Sequence, residues 1–443
     1  MQNFFKIFII CFFSLVSLVS VAQEVNPNDV FGLAKGLKLS AMDPLEEKNE
    51  SLYSLGEALF FEKELSGNRN ISCGSCHSPR FYSGDGLALG VGQGAVFGKT
   101  IDLKEGAILK RHTPHLINLG RIEVNHYFWD GRVAQSVNTG NLSTPELGLN
   151  GSNPVLKEIR ASLSGPLAAQ ALFPLLSPEE MLGRKGDNEL SQWDENSKVW
   201  DAIVKRLYSS ELNSDYKSLF KKSFPGLSID KINVGHIGSA LAEFQRFFFS
   251  STDSPFDQFM RGDLNALDPK AVRGLNIFMT KGRCVTCHKG AQLSIFQFHS
   301  SGAPQLGLQD NFNDEGRKEV TNKGRARFKF KTPSLRNIAL TGPYMHSGSL
   351  QTLDDVVNHY NDINTSLNSY IPGLEIQDFY KNLVSFDNDS KRNELRYLQV
   401  EGTAFLLGLK LTDQEKEDLV HFLEVGLTDL TFKKRMDDYV KKL

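Results

Sequence analysis

Two short segments decide the fold of this chain, Cys73-Gly74-Ser75-Cys76-His77 and Cys284-Val285-Thr286-Cys287-His288. In each copy two thiols can form thioether bonds to the vinyl groups of a haem, and the adjacent histidine can ligate the iron. A lone Cys-x-x-Cys is also typical of a zinc half-site or a redox dithiol, but zinc needs four ligands and a dithiol does not need the histidine. The pattern therefore predicts two covalently bound haem c groups, held by Cys73, Cys76, His77, Cys284, Cys287 and His288.

Residues 1–22 have the pattern of a secretion signal peptide. A basic residue precedes an apolar run from Ile7 to Val21, and Ala22 ends a cleavage site of small residues. The run is too short to span a membrane, so we expect no membrane span after its removal. Haem c is attached outside the bacterial cytoplasm, and the fifth cysteine, Cys11, falls within the leader. We therefore expect a periplasmic protein.

The composition is that of an ordinary globular protein with room for two domains. The chain has 443 residues, 40% of them hydrophobic, and a formal net charge of −2. A nearly neutral chain lacks the basic surface that nucleic acids require, so we expect no nucleic-acid partner.

A faint internal repeat precedes the two motifs. Gly56–Phe60 and Gly274–Phe278 each lie in a stretch with helical spacing of apolar residues. Pro269 suits the first turn of the second helix, and Thr412 with Glu415 forms a capping box near the C-terminus. Sustained alternation of apolar and polar residues is rare. The sequence therefore predicts a mainly α fold with two cytochrome c-like haem domains and long loops.

The predicted domains meet at a cluster of Ser, Thr, Asp and Pro near residues 250–255. We expect an N-terminal, peroxide-reacting haem domain at 23–252 and a C-terminal, electron-transfer haem domain at 253–443. A loop with six glycines, Gly84 to Gly98, is not a phosphate cradle because no strand precedes it, and we expect it to wrap a haem edge.

Four further motifs surround the attachment sites: Phe128-Trp129-Asp130-Gly131-Arg132, Gln170-x-x-x-Pro174-x-x-x-Pro178-Glu179-Glu180-Met181, Lys331-Thr332-Pro333-Ser334-Leu335-Arg336-Asn337 and Pro343-Tyr344-Met345-His346. Together with the two attachment motifs they resemble the bacterial di-haem cytochrome c peroxidase family, which includes the MauG-type enzymes. The resemblance runs from about residue 52 to residue 423.

The resemblance implies roles for four residues. Glu180 would be the carboxyl that moves protons during cleavage of the O–O bond, with Gln170 and Pro174 lining the same distal pocket. Trp129 would relay electrons between the haems, although a core aromatic role is equally open to it. Glu146 is a rival carboxyl.

The axial ligands are less determined by sequence. The resemblance puts Tyr360 at the distal position of the C-terminal haem, with Met345 a weaker alternative. No histidine lies between Ser78 and Arg111, so we expect the N-terminal haem to keep an open site.

The resemblance also implies one calcium ion. The backbone carbonyls of Thr341 and Pro343 match its donors, but His112 stands where the family has an asparagine, and imidazole is a poor calcium ligand. Calcium binding therefore stays open.

We expect Arg132 to pair with a haem propionate or with Asp130. The acidic run at residues 310–315 departs from the EF-hand pattern, so we expect a solvated loop.

These expectations combine into a periplasmic di-haem peroxidase. It would reduce hydrogen peroxide with electrons from a small cytochrome or cupredoxin that enter at the C-terminal haem. One alternative is a MauG-type oxidase acting on a protein or organic substrate, and another is a cytochrome that only transfers electrons. A homodimer is compatible with the sequence.

Overall fold

The computed structural model describes residues 25–97, 101–209, 213–308, 313–372, 378–380 and 383–442. The predicted signal peptide lies outside these residues. The helices are α1 (Pro27–Gly36), α2 (Glu50–Phe60), α3 (Cys73–Cys76), α4 (Lys157–Ala161), α5 (Pro166–Gln170), α6 (Asn196–Ser209), α7 (Asn213–Ser223), α8 (Val234–Phe248), α9 (Pro255–Met260), α10 (Pro269–Met279), α11 (Lys318–Thr321), α12 (Leu353–Asn361), α13 (Ile363–Asn368), α14 (Ser390–Leu398), α15 (Thr403–Leu406), α16 (Asp413–His421) and α17 (Leu430–Val440).

Among the described residues the strands are short and form three small antiparallel sheets. Their order is β1-β2-β3, β4-β6 and β5-β7. The strands are β1 (His126–Tyr127), β2 (Val133–Gln135), β3 (Leu142–Ser143), β4 (Phe298–His299), β5 (Leu306–Leu308), β6 (Phe330–Lys331) and β7 (Val384–Phe386). The mainly α class predicted from the sequence is thereby confirmed.

The internal repeat marks two equivalent helix crossings. Helix α2 packs on α8, and a Cβ on Gly56 would come within 2.0 Å of the carbonyl oxygen of Ala240. Helix α10 packs on α16, and a Cβ on Gly274 would come within 2.0 Å of the carbonyl oxygen of Asp418. Glycine is needed at both positions because the two backbones touch there. The repeated glycine in the sequence therefore reports a repeated packing geometry.

Helix boundaries follow the predicted caps. The side chain of Asp268 accepts a hydrogen bond from the backbone N–H of Ala271, and Pro269 opens α10. Thr412 and Glu415 form a reciprocal capping box that begins α16. These caps satisfy backbone donors that have no partner within the helix, which is why the boundaries are readable from the sequence.

The two largest hydrophobic cores among the described residues lie one in each half of the chain. The first is built mostly from residues 55–249 and the second mostly from residues 256–427. Each terminal helix packs into the core of the opposite half. Val30 and Ala34 of α1 belong to the second core, and Phe432 and Met436 of α17 belong to the first. The domain boundary at residue 252 stays a prediction, and the terminal helices tie the two halves together.

The glycine-rich loop holds the turn that carries Glu180. A Cβ on Gly92 would lie 2.0 Å from the carbonyl oxygen of Glu179. The backbone N–H of Gln93 donates to that same oxygen at 2.8 Å, and the Gly67 N–H donates to the carbonyl oxygen of Met181 at 2.7 Å. A side chain at position 92 would push this turn away, so the loop positions Glu180.

Candidate functional site

The first attachment motif forms helix α3 and ends in a histidine held by two hydrogen bonds. The backbone N–H of His77 donates to the carbonyl oxygen of Cys73 at 2.9 Å, and Nδ1 donates to the carbonyl oxygen of Ser83 at 3.0 Å. Burial lowers the pKa of His77 to about 4, so the ring is neutral. With Nδ1 carrying the proton, the lone pair of Nε2 is available to a metal ion.

The second motif repeats this arrangement. The backbone N–H of His288 donates to the carbonyl oxygen of Cys284 at 2.9 Å, and Nδ1 donates to the carbonyl oxygen of Leu293 at 2.9 Å. Burial again lowers the pKa of the imidazole to about 4. Both histidines are therefore prepared in the same tautomer for an axial bond to iron.

A large, mostly apolar cavity adjoins the second motif. Cys284, Cys287 and His288 line it together with side chains from the neighbouring loops. Three buried polar atoms on its wall have no hydrogen-bond partner among the described residues: His115 Nδ1, His299 Nε2 and Ser300 Oγ. An apolar slot beside a histidine ligand, with unpaired polar atoms on its wall, fits a haem with its carboxylate side chains.

Glu180 lies on a turn that packs against the loop following the first motif, at Gly92 and Gln93. Glu180 is half-buried in the turn Pro178–Leu182, where its backbone N–H donates to Ser177 Oγ at 3.2 Å. Burial raises the pKa of Glu180, while the charge of Arg132 opposes that rise. Burial also raises the pKa of the Cys76 thiol, and the nearby charges of Asp85 and Glu180 raise it further. A carboxyl with a raised pKa beside a haem-attachment site is suited to proton transfer.

Gln170, Pro174 and Glu180 lie on three consecutive short elements. Gln170 ends α5, Pro174 begins the turn Pro174–Leu176, and Glu180 follows in the next turn. Both carboxylate oxygens of the rival Glu146 accept hydrogen bonds from neighbouring residues. Its Oε1 accepts a hydrogen bond from the Gly148 N–H at 3.0 Å and its Oε2 accepts one from Asn196 Nδ2 at 2.8 Å.

Trp129 lines the cavity beside the second motif and is hydrogen-bonded to the first half of the chain. Its indole N–H donates to the carbonyl oxygen of His112 at 2.8 Å. Nδ1 of His112 donates to the carbonyl oxygen of Leu87 at 2.8 Å. Trp129 is therefore connected through one buried residue to the glycine-rich loop that follows the first motif.

A buried ion-pair network lies beside Trp129. Arg111 donates to Asp130 Oδ2 at 2.6 Å and makes two hydrogen bonds with Asp314, at 2.6 and 2.8 Å. Arg132 pairs with Asp130 at 3.2 Å, which is one of its two predicted partners. The expectation of a solvated loop at residues 310–315 is wrong for Asp314, whose side chain is only 1% exposed. Burial of this carboxylate is possible because the distant Arg111 compensates its charge. Residues 310–312 lie outside the described part of the chain.

Both candidate ligands of the second haem lie in the same cavity. Tyr360, on helix α12, and Met345 both line it with the second motif. Burial raises the pKa of Tyr360, and the neighbouring thiols of Cys287 and Cys284 raise it further. The tyrosine is therefore a neutral phenol unless a metal ion takes its proton.

The three residues of the calcium pattern also meet at this cavity. Thr341, Pro343 and His112 line it. Among the described residues, groups of three or more His, Cys, Asp or Glu side chains that could hold a metal ion are absent. Calcium binding stays a prediction, as do the ligand roles of Thr341 and Pro343.

The paired attachment turns define the class of this protein as a c-type cytochrome with two haem sites. Comparison with known proteins gives the family: residues 50–265 match the model of the di-haem cytochrome c peroxidases. The methylamine utilization protein MauG of Methylorubrum extorquens is 31% identical over 309 residues, which cover 69% of this chain and 67% of that protein. The chain belongs to the di-haem cytochrome c peroxidase family, and its two motifs accordingly bind two c-type haems.

Other relatives carry both peroxidase and MauG names. The cytochrome c peroxidase Ccp of Escherichia coli is 30% identical over 69% of this chain, and the match spans about half of its own length. A solved MauG-like protein associated with microbial copper homeostasis is 25% identical, with a TM-score of 0.58 over 90% of this chain and 96% of its own. The di-haem peroxidase BthA of Burkholderia thailandensis, at 19% identity and a TM-score of 0.56 over 89% of this chain and 90% of its own, shares the fold. Within the described residues no helix is long and apolar enough to cross a membrane.

Sequence reasoning missed several residues of the site. Arg111 and Asp314 are separated by about 200 positions, and no local pattern connects them. Lys331 begins the motif Lys331–Asn337, but the motif alone gives it no role. It lines the cavity beside the second motif, and burial lowers its pKa to about 8, whereas the charge of Asp130 opposes that shift.

Proposed function

We propose that this protein reduces hydrogen peroxide to water in the periplasm, using two electrons from a small cytochrome or cupredoxin. The overall reaction consumes one peroxide, two electrons and two protons and forms two water molecules. The observation that carries the proposal is the half-buried Glu180, whose pKa is raised, on a turn packed against Gly92; the carbonyl oxygen of the neighbouring Val91 accepts a hydrogen bond from Cys76 Sγ at 3.5 Å. A protein that only transferred electrons would have no use for a proton-transfer group there.

In this proposal the chain's own residues divide the work. When bound, the haem irons supply electron transfer and a coordination site for peroxide. Glu180 accepts the proton of the oxygen nearer the first haem and returns it to the departing oxygen. The backbone of the turn that carries Glu180 is held by Gly92 and Gln93, which positions its side chain. Gln170 and Pro174 restrict the space in front of it.

Electrons would enter at the second motif and pass by Trp129. The hydrogen bond from its indole to His112 and the buried pair of Arg111 with Asp130 hold the ring in place. Residues 23–252 would then form the peroxide-reacting domain and residues 253–443 the electron-entry domain. The proposal also includes a calcium ion at Thr341 and Pro343 and a homodimer.

Stopped-flow turnover of the di-haem protein with peroxide and a reduced small cytochrome tests this function. We expect donor oxidation with two electrons consumed per peroxide. Turnover in Glu180→Gln equal to that of the unchanged protein would contradict the role of Glu180, and the absence of peroxide-dependent donor oxidation would contradict the function.

A MauG-type oxidase is the second candidate, and Tyr360 favours it. A tyrosine ligand stabilises ferric iron and lowers its reduction potential, which favours oxidation of a substrate over acceptance of electrons from a donor. Mass spectrometry of candidate protein substrates after peroxide treatment distinguishes the two. Oxygen insertion or cross-linking in a protein substrate, without donor oxidation, would favour the oxidase.

A further inference from the structure

The surface next to the second motif carries a shallow depression with an apolar centre and a basic rim. Leu407 and Leu409 form its centre, and Lys281, Arg283 and Lys410 form its rim. We call these five residues the entry patch. Leu407 is 71% exposed, so the depression presents an apolar side chain to solvent.

The entry patch is separated from the second haem cavity by a single side chain. Leu409 lines both the surface depression and the cavity. Arg283 directly precedes Cys284, and the exposed Thr286 also borders the cavity. A molecule seated on the entry patch would therefore lie one residue away from the group bound at Cys284, Cys287 and His288.

The loop that presents Leu407 is anchored to Asn361. The backbone N–H of Leu409 donates to the carbonyl oxygen of Asn361 at 3.1 Å, and the N–H of Leu411 donates to Asn361 Oδ1 at 2.8 Å. Arg283 and Lys410 have φ angles of 52° and 55°, a conformation that favours glycine. Both charged side chains therefore stand at backbone conformations that glycine would adopt more easily, Arg283 just before the second motif and Lys410 on the loop with Leu407.

The charges of the entry patch are only partly compensated. Lys281 pairs with Glu415 at 2.6 Å, whereas Arg283 and Lys410 have no ion pair among the described residues. Lys289, also exposed, adds a further positive charge beyond the motif. The chain as a whole carries a formal charge of −2, so this basic area is local.

We propose that the entry patch docks a small redox protein whose own haem or copper edge is apolar and ringed by acidic residues. The proposal rests on the peroxidase function above and adds the charge of the electron donor. Opposite charges on the two rims raise the rate of encounter, and contact between the apolar centres excludes water from the electron path.

Binding of one small cytochrome c in two chemical forms tests this surface. Its unmodified form is basic, and succinylation of its lysines makes the same fold acidic. With the full di-haem protein at low ionic strength, we expect the succinylated form to bind at least about tenfold more tightly than the unmodified form. We expect this advantage to shrink at high salt because ions screen the rim charges. Tighter binding of the unmodified form, or equal binding of both, would overturn the proposal.

Matched variants locate the binding surface. We expect Arg283→Glu with Lys410→Glu to weaken binding of the succinylated form about tenfold or more. The control pair Lys221→Glu with Lys222→Glu makes the same charge change on exposed positions of α7, and we expect less than a twofold effect. Equal losses in both pairs would overturn the proposal. Sedimentation that shows two copies of this chain joined at the entry patch would overturn it as well.

The binding measurement uses no peroxide, so its result does not depend on whether the protein is a peroxidase. Docking without peroxide turnover would contradict the function alone. Peroxide turnover with a small-molecule reductant, without docking of the acidic form, would contradict the entry patch alone. Folding of each variant is checked by its haem absorbance spectrum.

Discussion

The first attachment turn, Cys73–His77, and the second, Cys284–His288, hold their histidines by the same pair of hydrogen bonds but lie in different surroundings. Ser72, before the first motif, is 6% exposed and caps α3, whereas Arg283, before the second, is exposed. The first motif has the carboxyl of Glu180 near it, and the second shares a cavity with Tyr360. The same attachment motif can therefore serve two chemical roles, because the surrounding residues set the reactivity of each haem site.

The largest expected effect is the loss of one of the two covalent haems. We expect Cys284→Ala with Cys287→Ala to leave one covalent haem per chain, and Cys73→Ala with Cys76→Ala to do the same at the other site. Each turn lies in its own core, so loss of one haem leaves the other attached. Intact-mass measurement and pyridine haemochrome content report the number. Retention of two covalent haems in either variant would contradict the assignment.

The second prediction tests what distinguishes the first turn. We expect Glu180→Gln to lower kcat/KM for peroxide by about 10²- to 10⁴-fold, since it removes the proton acceptor but keeps the shape. The control is the exposed neighbour Glu179→Gln, for which we expect less than a twofold change. Steady-state assays with a fixed donor measure both. Equal effects of the two changes would show that Glu180 has no special role.

The third prediction concerns pH. Burial raises the pKa of Glu180, and below that pKa the group is protonated and cannot accept a proton. We therefore expect kcat/KM to fall as the pH falls through a value above the ordinary glutamate pKa, with this limb absent in Glu180→Gln. A pH profile of both proteins measures it. An unchanged acid limb in the variant would assign the titration to another group.

The fourth prediction tests what distinguishes the second turn. We expect Tyr360→Met to raise the reduction potential of the C-terminal haem, by on the order of 100 mV, because a thioether stabilises ferrous iron better than a phenolate does. Met345→Leu, in the same cavity, is the control and should leave the potential unchanged. Spectroelectrochemical titration measures both. A shift in the control alone would make Met345 the ligand.

The smallest effect concerns stability. A carboxyl whose pKa is raised by burial destabilises the folded state as the pH rises from the ordinary glutamate pKa through the raised value, because the charged form is the disfavoured one. We expect Glu180→Gln to raise Tm by roughly 1 to 3 °C at pH 7 and to leave it nearly unchanged at pH 4. Calorimetry of the di-haem protein at both pH values provides the measurement. A lower Tm at pH 7 would mean that the carboxylate stabilises the fold.

Short-range patterns were good guides wherever a local rule operates. Asp268 and Thr412 were readable as helix caps because a cap acts within one turn of helix. The paired Gly56 and Gly274 were readable as a repeat, but their meaning as contact points with Ala240 and Asp418 required the packed helices. Asp314 shows the limit of such reasoning, since an acidic run resembles a solvated loop until its distant partner Arg111 is known.

The sequence by itself determined that this chain binds two haems, where they attach and that helices lead into both sites, because covalent attachment and helix capping depend on residues adjacent in the chain. Only the tertiary structure decided that Glu180 stands near the first motif, that Tyr360 lines the cavity of the second and that Leu409 separates this cavity from the surface. These relations join residues more than 70 positions apart, and burial and charge compensation at such separations arise only when the cores assemble.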